Sequence, residues 1–208
     1  TNAISPGTFF MKRLNNVLKE FIRNYSKKII LSDSDERGEG EHKIFEYMRQ
    51  NSDSHKQQTT VIHGLDADLI MLCLNHLWVS DNIYLYRETP HYIKNISAEL
   101  DPDTNYLVNI LELSKDIVND LNNGREVTKE QADASIRDYI FICFMLGNDF
   151  MPHFPAVNIR TNGIDILINA YKHVLGDIDE NLTKGNHIYW KNLRKFVQHL
   201  ADTEWDNI

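Results

Sequence analysis

Cysteine is scarce in this 208-residue chain: there are two, Cys73 and Cys143, each among apolar neighbours. That excludes a disulfide framework and points to reduced core thiols in an intracellular protein, with nothing to separate cytoplasm from nucleus. Long apolar runs are also missing. The longest, Tyr139–Leu146, falls far short of the ~20 residues that a spanning helix needs, so no membrane is expected as a partner. No charged-then-apolar leader opens the chain, and secretion is not expected. An initiating Met is lacking too, since the chain begins Thr1-Asn2-Ala3; the expectation is a piece of a longer protein or a processed product. Internal repeats, low-complexity tracts and a convincing linker are absent. The expectation is therefore one domain over 1–208, with an α/β part in 1–90 and a mainly helical part in 91–208.

What is present argues for a packed core. Hydrophobic residues make up 42% and aromatics 10% of the chain, which excludes disorder as the main state. The net charge is -8, and it is unevenly spread. Lys12, Arg13, Lys19, Arg23, Lys27 and Lys28 face the single Glu20 in residues 1–30, a local +5 that leaves -13 for the rest. A basic head on an acidic body permits a nucleic-acid partner without requiring one, and a solvated basic helix face explains it equally well.

Hydrophobic periodicity outlines the elements. Phe10, Leu14, Val17, Phe21 and Tyr25, widened by Leu18 and Ile22, predict an amphipathic helix over 9–25 whose stripe is core. Lys28–Ser32 reads as a buried strand, followed by a polar loop and a helix over 41–50. Thr59–Gly64 reads as a second strand, with Asp66 opening a helix through Leu77, and Ile83–Arg87 as a third. Residues 92–103 stay open between ribbon and loop. Tyr106–Val108 leads into a helix that Asn122-Asn123-Gly124 stops. Thr128 caps a long helix ending at Gly147, with its last turns deeply buried. Pro152 and Pro155 hold the next segment extended, and helices follow over 163–175 and 188–200. The alternation of strand and helix predicts an α/β fold with a largely parallel central sheet flanked by helices, and a mostly helical second half packed on it.

In open α/β sheets, sites form past the carboxyl ends of strands. Two acidic clusters fall there: Glu39 and Glu41 in Gly38-Glu39-Gly40-Glu41-His42-Lys43, and Asp66 and Asp68 in Leu65-Asp66-Ala67-Asp68-Leu69. Asp149, in Gly147-Asn148-Asp149-Phe150, is a further acid. Residues two apart in extended backbone project to one side. If the loops are neighbours, these carboxylates share a small volume and cannot all ionise without compensation. Oxygen ligands without a Cys or His cluster favour Mg²⁺ or Mn²⁺ over Zn²⁺. Five carboxylates suit a two-metal site of the nuclease and polymerase kind.

Each acid also has a plainer reading. Glu39 and Glu41 sit at a helix start, where the macrodipole favours acids. Asp66 serves as an N-cap, and Asp149 as a cap after a helix-ending Gly. By default His42 and Lys43 belong to a helix surface, although phosphate contact is open to them. His63 reads as a core histidine, and His153 as a packing residue.

These strings, in this order, resemble the Xrn family of 5′→3′ exoribonucleases, over the second half of its catalytic core. The resemblance rests on Ile4-Ser5-Pro6-Gly7-Thr8 with Phe10-Met11, on Gly38–Ile44, on Gly64–Ile70, on Arg87-Glu88, and on Leu146–Pro152 with Pro155. Arg37 departs from the Pro usual before the GEGE string, which removes no carboxylate. The resemblance implies processive hydrolysis of single-stranded RNA from a 5′-monophosphate end to nucleoside monophosphates, on a core related to flap-endonuclease and PIN-like nucleases. It implies that Glu39, Glu41, Asp66, Asp68 and Asp149 are the catalytic metal ligands, with two Mg²⁺ or Mn²⁺ ions in the complete site.

It also implies that the first half of the core, with its opening strand, two further aspartates and 5′-phosphate pocket, lies outside this chain. A net -13 body makes a poor RNA channel by itself. The fragment is therefore expected to be inactive, or nearly so, until the missing half is supplied in cis or in trans. A flap-type DNA nuclease and a noncatalytic scaffold or RNA-binding relative are the alternatives.

Overall fold

The structure is a computed structural model, and it describes residues 2–89, 92–95, 97–148, 151–155, 157–159, 162–178 and 180–202. The chain divides into two compact units, residues 1–52 and 53–208.

The first unit is helical. Thr8 accepts from the Met11 N–H and caps α1 (Phe9–Arg23), and α2 (Gly40–Gln50) follows. The expected strand at Lys28–Ser32 does not form: the segment is irregular, and Ile29 and Ile30 are exposed. A β-branched run becomes a strand only where another strand offers it a ladder, and none pairs with it among the described residues. The stripe expected to be core on α1 is also largely open. Phe10, Val17, Phe21 and Tyr25 are exposed, whereas Leu14, Leu18 and Ile22 are half-buried and the one buried residue of the helix is Asn15. An apolar stripe marks a face that can be buried, but it does not say what covers it.

A short helix, α3 (Ser52–His55), stands at the boundary between the units. The second unit then builds a three-stranded sheet from β1 (Thr60–His63), β2 (Ile83–Arg87) and β3 (Tyr106–Asn109), in the order β1-β2-β3. β1 and β2 run parallel in the register Thr60↔Ile83, with α4 (Asp68–Leu74) in the crossover. β2 and β3 run antiparallel in the register Tyr84↔Asn109. The expected α/β class therefore holds, but the sheet is small and mixed rather than large and parallel. A parallel pair needs a crossover, whereas Tyr106 arrives from a connection that turns the chain back on itself. Among its described residues the undecided stretch before it has one 3-10 turn, Ile93–Asn95, and no strand.

The remaining elements are mainly helices. Asn109 caps α5 (Ile110–Leu121) by accepting from the N–H groups of Leu111 and Glu112. Thr128 and Gln131 form a reciprocal capping box on α6 (Lys129–Cys143), which two orphan N–H groups require. A 3-10 turn, Phe144–Leu146, follows. Ile142 is fully buried, but Phe144 is 49% exposed, so the end of this helix is less enclosed than its composition suggests. Then come α7 (Gly163–Leu175), a small hairpin of β4 (Thr183–Lys184) and β5 (His187–Ile188) that the periodicity missed, and α8 (Trp190–Asp202). Leu121, Ile142, Leu167, Tyr171, Leu175, Leu182 and Phe196 form the core of this helical region. No helix among the described residues is long and apolar enough to cross a membrane.

One buried acid ties this region together. Asp138 on α6 is fully buried. It accepts from Leu182 N–H at 2.7 Å, Thr183 N–H at 2.8 Å, Thr183 Oγ1 at 2.6 Å and Tyr171 Oη at 2.8 Å. Burial, reinforced by the neighbouring Asp138, drives the Tyr171 phenol well above its ordinary range, so it stays a donor. Replacing Asp138 by Ala leaves two buried backbone donors unpaired. Asp138→Ala is expected to lower unfolding free energy by more than about 3 kcal/mol, read from the urea midpoint.

The two thiols are as inert as their apolar surroundings suggest. Burial pushes Cys73 up to about 12 and Cys143 up to about 11, against an ordinary value of 9.0. A raised pKa means that the folded state holds the proton longer. The thiols' share of stability is therefore whole below pH 9 and is lost as pH rises through 11 and 12. Folded protein at pH 8 is expected to react with a disulfide reagent only at its unfolding rate, and the urea midpoint should fall between pH 9 and 11.

Candidate active site

In the first unit, the loop before α2 is held by polar contacts. Lys19 Nζ on α1 lies 2.6 Å from Asp33 Oδ2. The hydrogen-bonded ammonium holds the Asp33 carboxyl below the usual carboxylate range, and Asp33 in turn raises Lys19. The buried Asn15 donates to Ser34 Oγ at 2.9 Å and to Asp35 Oδ2 at 3.4 Å. Lys43 Nζ, from α2, donates to the carbonyls of Asp33 and Glu36 at 3.2 and 3.5 Å. Lys43 thus closes the loop from inside instead of extending toward a phosphate.

Gly38, at φ +95°, then turns the chain into α2, a conformation that favours glycine. Glu39 is the N-cap residue of α2, with extended dihedrals and no capping hydrogen bond from its side chain. Glu41 is in the first helical turn. The two acids therefore do not alternate along extended backbone, nor do they follow a strand: they straddle a helix start, where the macrodipole favours negative charge. His42 Nε2 lies 3.6 Å from Glu39 Oε2, and both side chains are exposed.

In the second unit, the expected strand exit is real. β1 ends at His63, and the Gly64 N–H continues the ladder to Tyr86 O at 3.2 Å. A Cβ on Gly64 would overlap Leu69 Cδ1, so a larger residue there would have to displace the Leu69 side chain. The Arg87 guanidinium, from the end of β2, donates to the Leu65 carbonyl and pins the exit. Asp66 Oδ1 accepts the Asp68 N–H at 3.3 Å, and α4 begins there. Both aspartates are exposed. Asp66 thus fills its plainer role as a turn-closing acceptor while its other oxygen, Oδ2, takes no part in that bond. His63, expected in the core, is exposed, with its ring edge-on to Tyr86 and the ring centres 4.7 Å apart.

The third block is partly described. Gly147 has φ +80°, and a Cβ on it would approach His153 N to 2.7 Å. Asn148 N–H donates to Met151 O, and Asn148 Oδ1 accepts from Met151 N–H, both at 2.9 Å. His153 Nδ1 is 2.7 Å from Phe154 O and the residue is exposed. Asp149 lies outside the described residues. Among the described residues no three His, Cys, Asp or Glu side chains are gathered closely enough to hold a metal ion. Each acidic loop taken by itself offers a pair of hard oxygen donors at a helix start, exposed except for the half-buried Glu41, a donor set that fits Mg²⁺ or Mn²⁺.

Sequence reasoning passed over Asp138 and the cleft beside it. The available signal was an acid directly before the apolar run Tyr139–Leu146, which has to find donors wherever it is buried.

Comparison with known proteins follows the same blocks. A family model described as the XRN 5′-3′ exonuclease N-terminus matches residues 1–89, and one described as the Xrn1 helical domain matches residues 129–208. A 5′-3′ exoribonuclease 2 of Debaryomyces hansenii is 31% identical, with 98% of this chain and 23% of that protein aligned. Proteins of the same name from Arabidopsis thaliana and Saccharomyces cerevisiae are 30% and 31% identical, with 97% and 99% of this chain and 24% and 23% of theirs aligned. The chain spans about a quarter of the length of these relatives.

The dual role of Asp66 can be separated. Asp66→Asn keeps the acceptor for the Asp68 N–H, so metal-free stability is expected within about 0.5 kcal/mol of the parent. Millimolar Mn²⁺ should raise the melting temperature of the parent through linkage, and that increment should vanish in Asp66→Asn. An unchanged increment would assign Asp66 to the turn alone.

Proposed function

This chain belongs to the Xrn family of 5′-3′ exonucleases, and from that we propose that it carries much of the catalytic carboxylate set of a 5′→3′ exoribonuclease acting on 5′-monophosphorylated single-stranded RNA. The observation that carries the reading is the pair of acidic helix starts, Glu39 with Glu41 and Asp66 with Asp68, inside the residues matched to the exonuclease model.

In the proposed complete site, Glu39, Glu41, Asp66, Asp68 and Asp149 hold two Mg²⁺ or Mn²⁺ ions. When bound, such ions activate water and neutralise charge on a phosphoryl group under attack. The chain's own contribution is to hold the described acids in place. The Lys19–Asp33 pair and the Lys43 bonds fix the approach to Glu39. The Arg87–Leu65 bond and the Asp66–Asp68 turn fix the second pair. Hydrolysis of this kind needs no covalent intermediate on the protein, so an activated Ser or Cys is not required. The neutral, high-pKa thiols of Cys73 and Cys143 are unsuited to that role in any case.

The remainder of the core, with its 5′-phosphate pocket, is proposed as the partner that completes the site, in cis or in trans. The test is a degradation assay with that remainder supplied. The complete assembly should release nucleoside monophosphates from 5′-monophosphorylated RNA, and a 5′-hydroxyl RNA and a flap DNA should persist. Asp68→Ala should cut the rate by more than the ~10–100-fold that outer-shell metal partners cost. Cleavage of flap DNA in preference to RNA, or full activity in Asp68→Ala, would overturn the proposal.

A further inference from the structure

The helical region carries a second feature that the carboxylate loops do not use. A cleft of about 700 Å³ opens between the start of α6, the β4–β5 hairpin and the first turn of α8. That volume is in the range of small-molecule sites. Its walls are fixed by the interactions already described. Asp138 draws Leu182 and Thr183 onto α6, the Tyr189 N–H bonds Leu182 O at 2.8 Å, and Asn192 Nδ2 bonds Asn181 O at 2.9 Å.

The lining combines two chemistries. Trp190 is 71% exposed and Tyr189 42% exposed, side by side at the start of α8. Two adjacent exposed aromatic faces are surfaces on which a nucleobase can stack. The cations Arg137, Lys184 and Lys191 line the same cleft. Of the two acids there, Glu180 is 3.6 Å from Lys195, which leaves Glu130 facing three cations. Arg137 Nε is buried and has no hydrogen-bond partner among the described residues. A buried guanidinium N–H without an acceptor is costly, and an anionic oxygen is its natural complement. Residues 190–192 are also the first turn of α8, whose N–H groups and dipole favour an anion.

We propose that this cleft binds a nucleoside 5′-phosphate unit, with its base stacked on Trp190 or Tyr189 and its phosphate on Arg137, Lys184 and Lys191. The unit is either a free mononucleotide or one residue of an RNA strand, and the cleft does not depend on metal at the acidic loops.

The test is calorimetric titration of the whole chain in EDTA with adenosine 5′-monophosphate, adenosine, inorganic phosphate and a single-stranded oligoadenylate. Adenosine 5′-monophosphate should bind more tightly than adenosine or phosphate alone. Tighter binding of the oligomer would identify a strand-binding site; equal binding would identify a mononucleotide site. Trp190→Ala should weaken binding roughly 5- to 140-fold, the effect of losing one stacked base. Arg137→Gln should weaken the phosphorylated ligands but not adenosine. Trp190 and Lys191 are exposed, so Trp190→Ala and Lys191→Ala test the cleft without risk to the fold, with circular dichroism as the check. An Asp66→Asn, Asp68→Asn double variant should bind as the parent does, which separates this site from the carboxylate loops. No binding of adenosine 5′-monophosphate, or equal binding in Trp190→Ala and Arg137→Gln, would overturn the proposal.

Discussion

The helical region depends on the buried carboxylate of Asp138. A carboxylate removed from water is tolerated only when donors replace the lost hydration. Here they come from two places distant in sequence from it: Tyr171 on α7, and the consecutive residues Asn181, Leu182 and Thr183 that lead into β4. Each donor would be a buried liability without the acid. The hairpin is only two residues per strand, too short to hold itself, and Asp138 is what holds it against α6. The cleft beside it inherits its shape from this single hydrogen-bonded knot.

The acidic loops follow a different logic. Glu39, Asp66 and Asp68 are exposed and Glu41 is half-buried, and hydrogen bonds a few residues away position them. Lys19 and Lys43 tether the loop before Glu39 through Asp33 and Glu36, while Arg87 tethers the turn before Asp66 through a backbone carbonyl. Cations are thus spent on the backbone and on a remote aspartate, and Glu39 and Asp66 keep oxygens directed to solvent. This division suits residues that must present hard oxygen donors to an ion, because a lysine placed directly on such an acid would compete with the metal.

The exposed apolar residues belong to the same picture as the family assignment. Phe10, Val17 and Phe21 on α1, and Ile29 and Ile30 beyond it, are open to solvent. Nothing among the described residues covers them, and the chain spans about a quarter of its relatives' length. The irregular conformation of 28–32 has a local cause of the same kind, since a strand is a property of a pair.

Local chemistry determined a great deal. The capped start at Thr128, the stop at Asn123-Gly124, and strands at 60–63 and 83–87 were legible because caps, turns and periodicity act over a few residues. The acidic strings were legible as clusters, and their order along the chain was sufficient for the family. Pairing and covering were not legible. That β3 runs antiparallel, that 28–32 finds no ladder, that α1 buries Asn15 and exposes Phe21, and that Asp138 binds a hairpin 44 residues on all depend on partners distant in sequence. Periodicity records which side of an element can be buried; only the tertiary structure decides what buries it, because that energy belongs to contacts between segments and to neither segment alone.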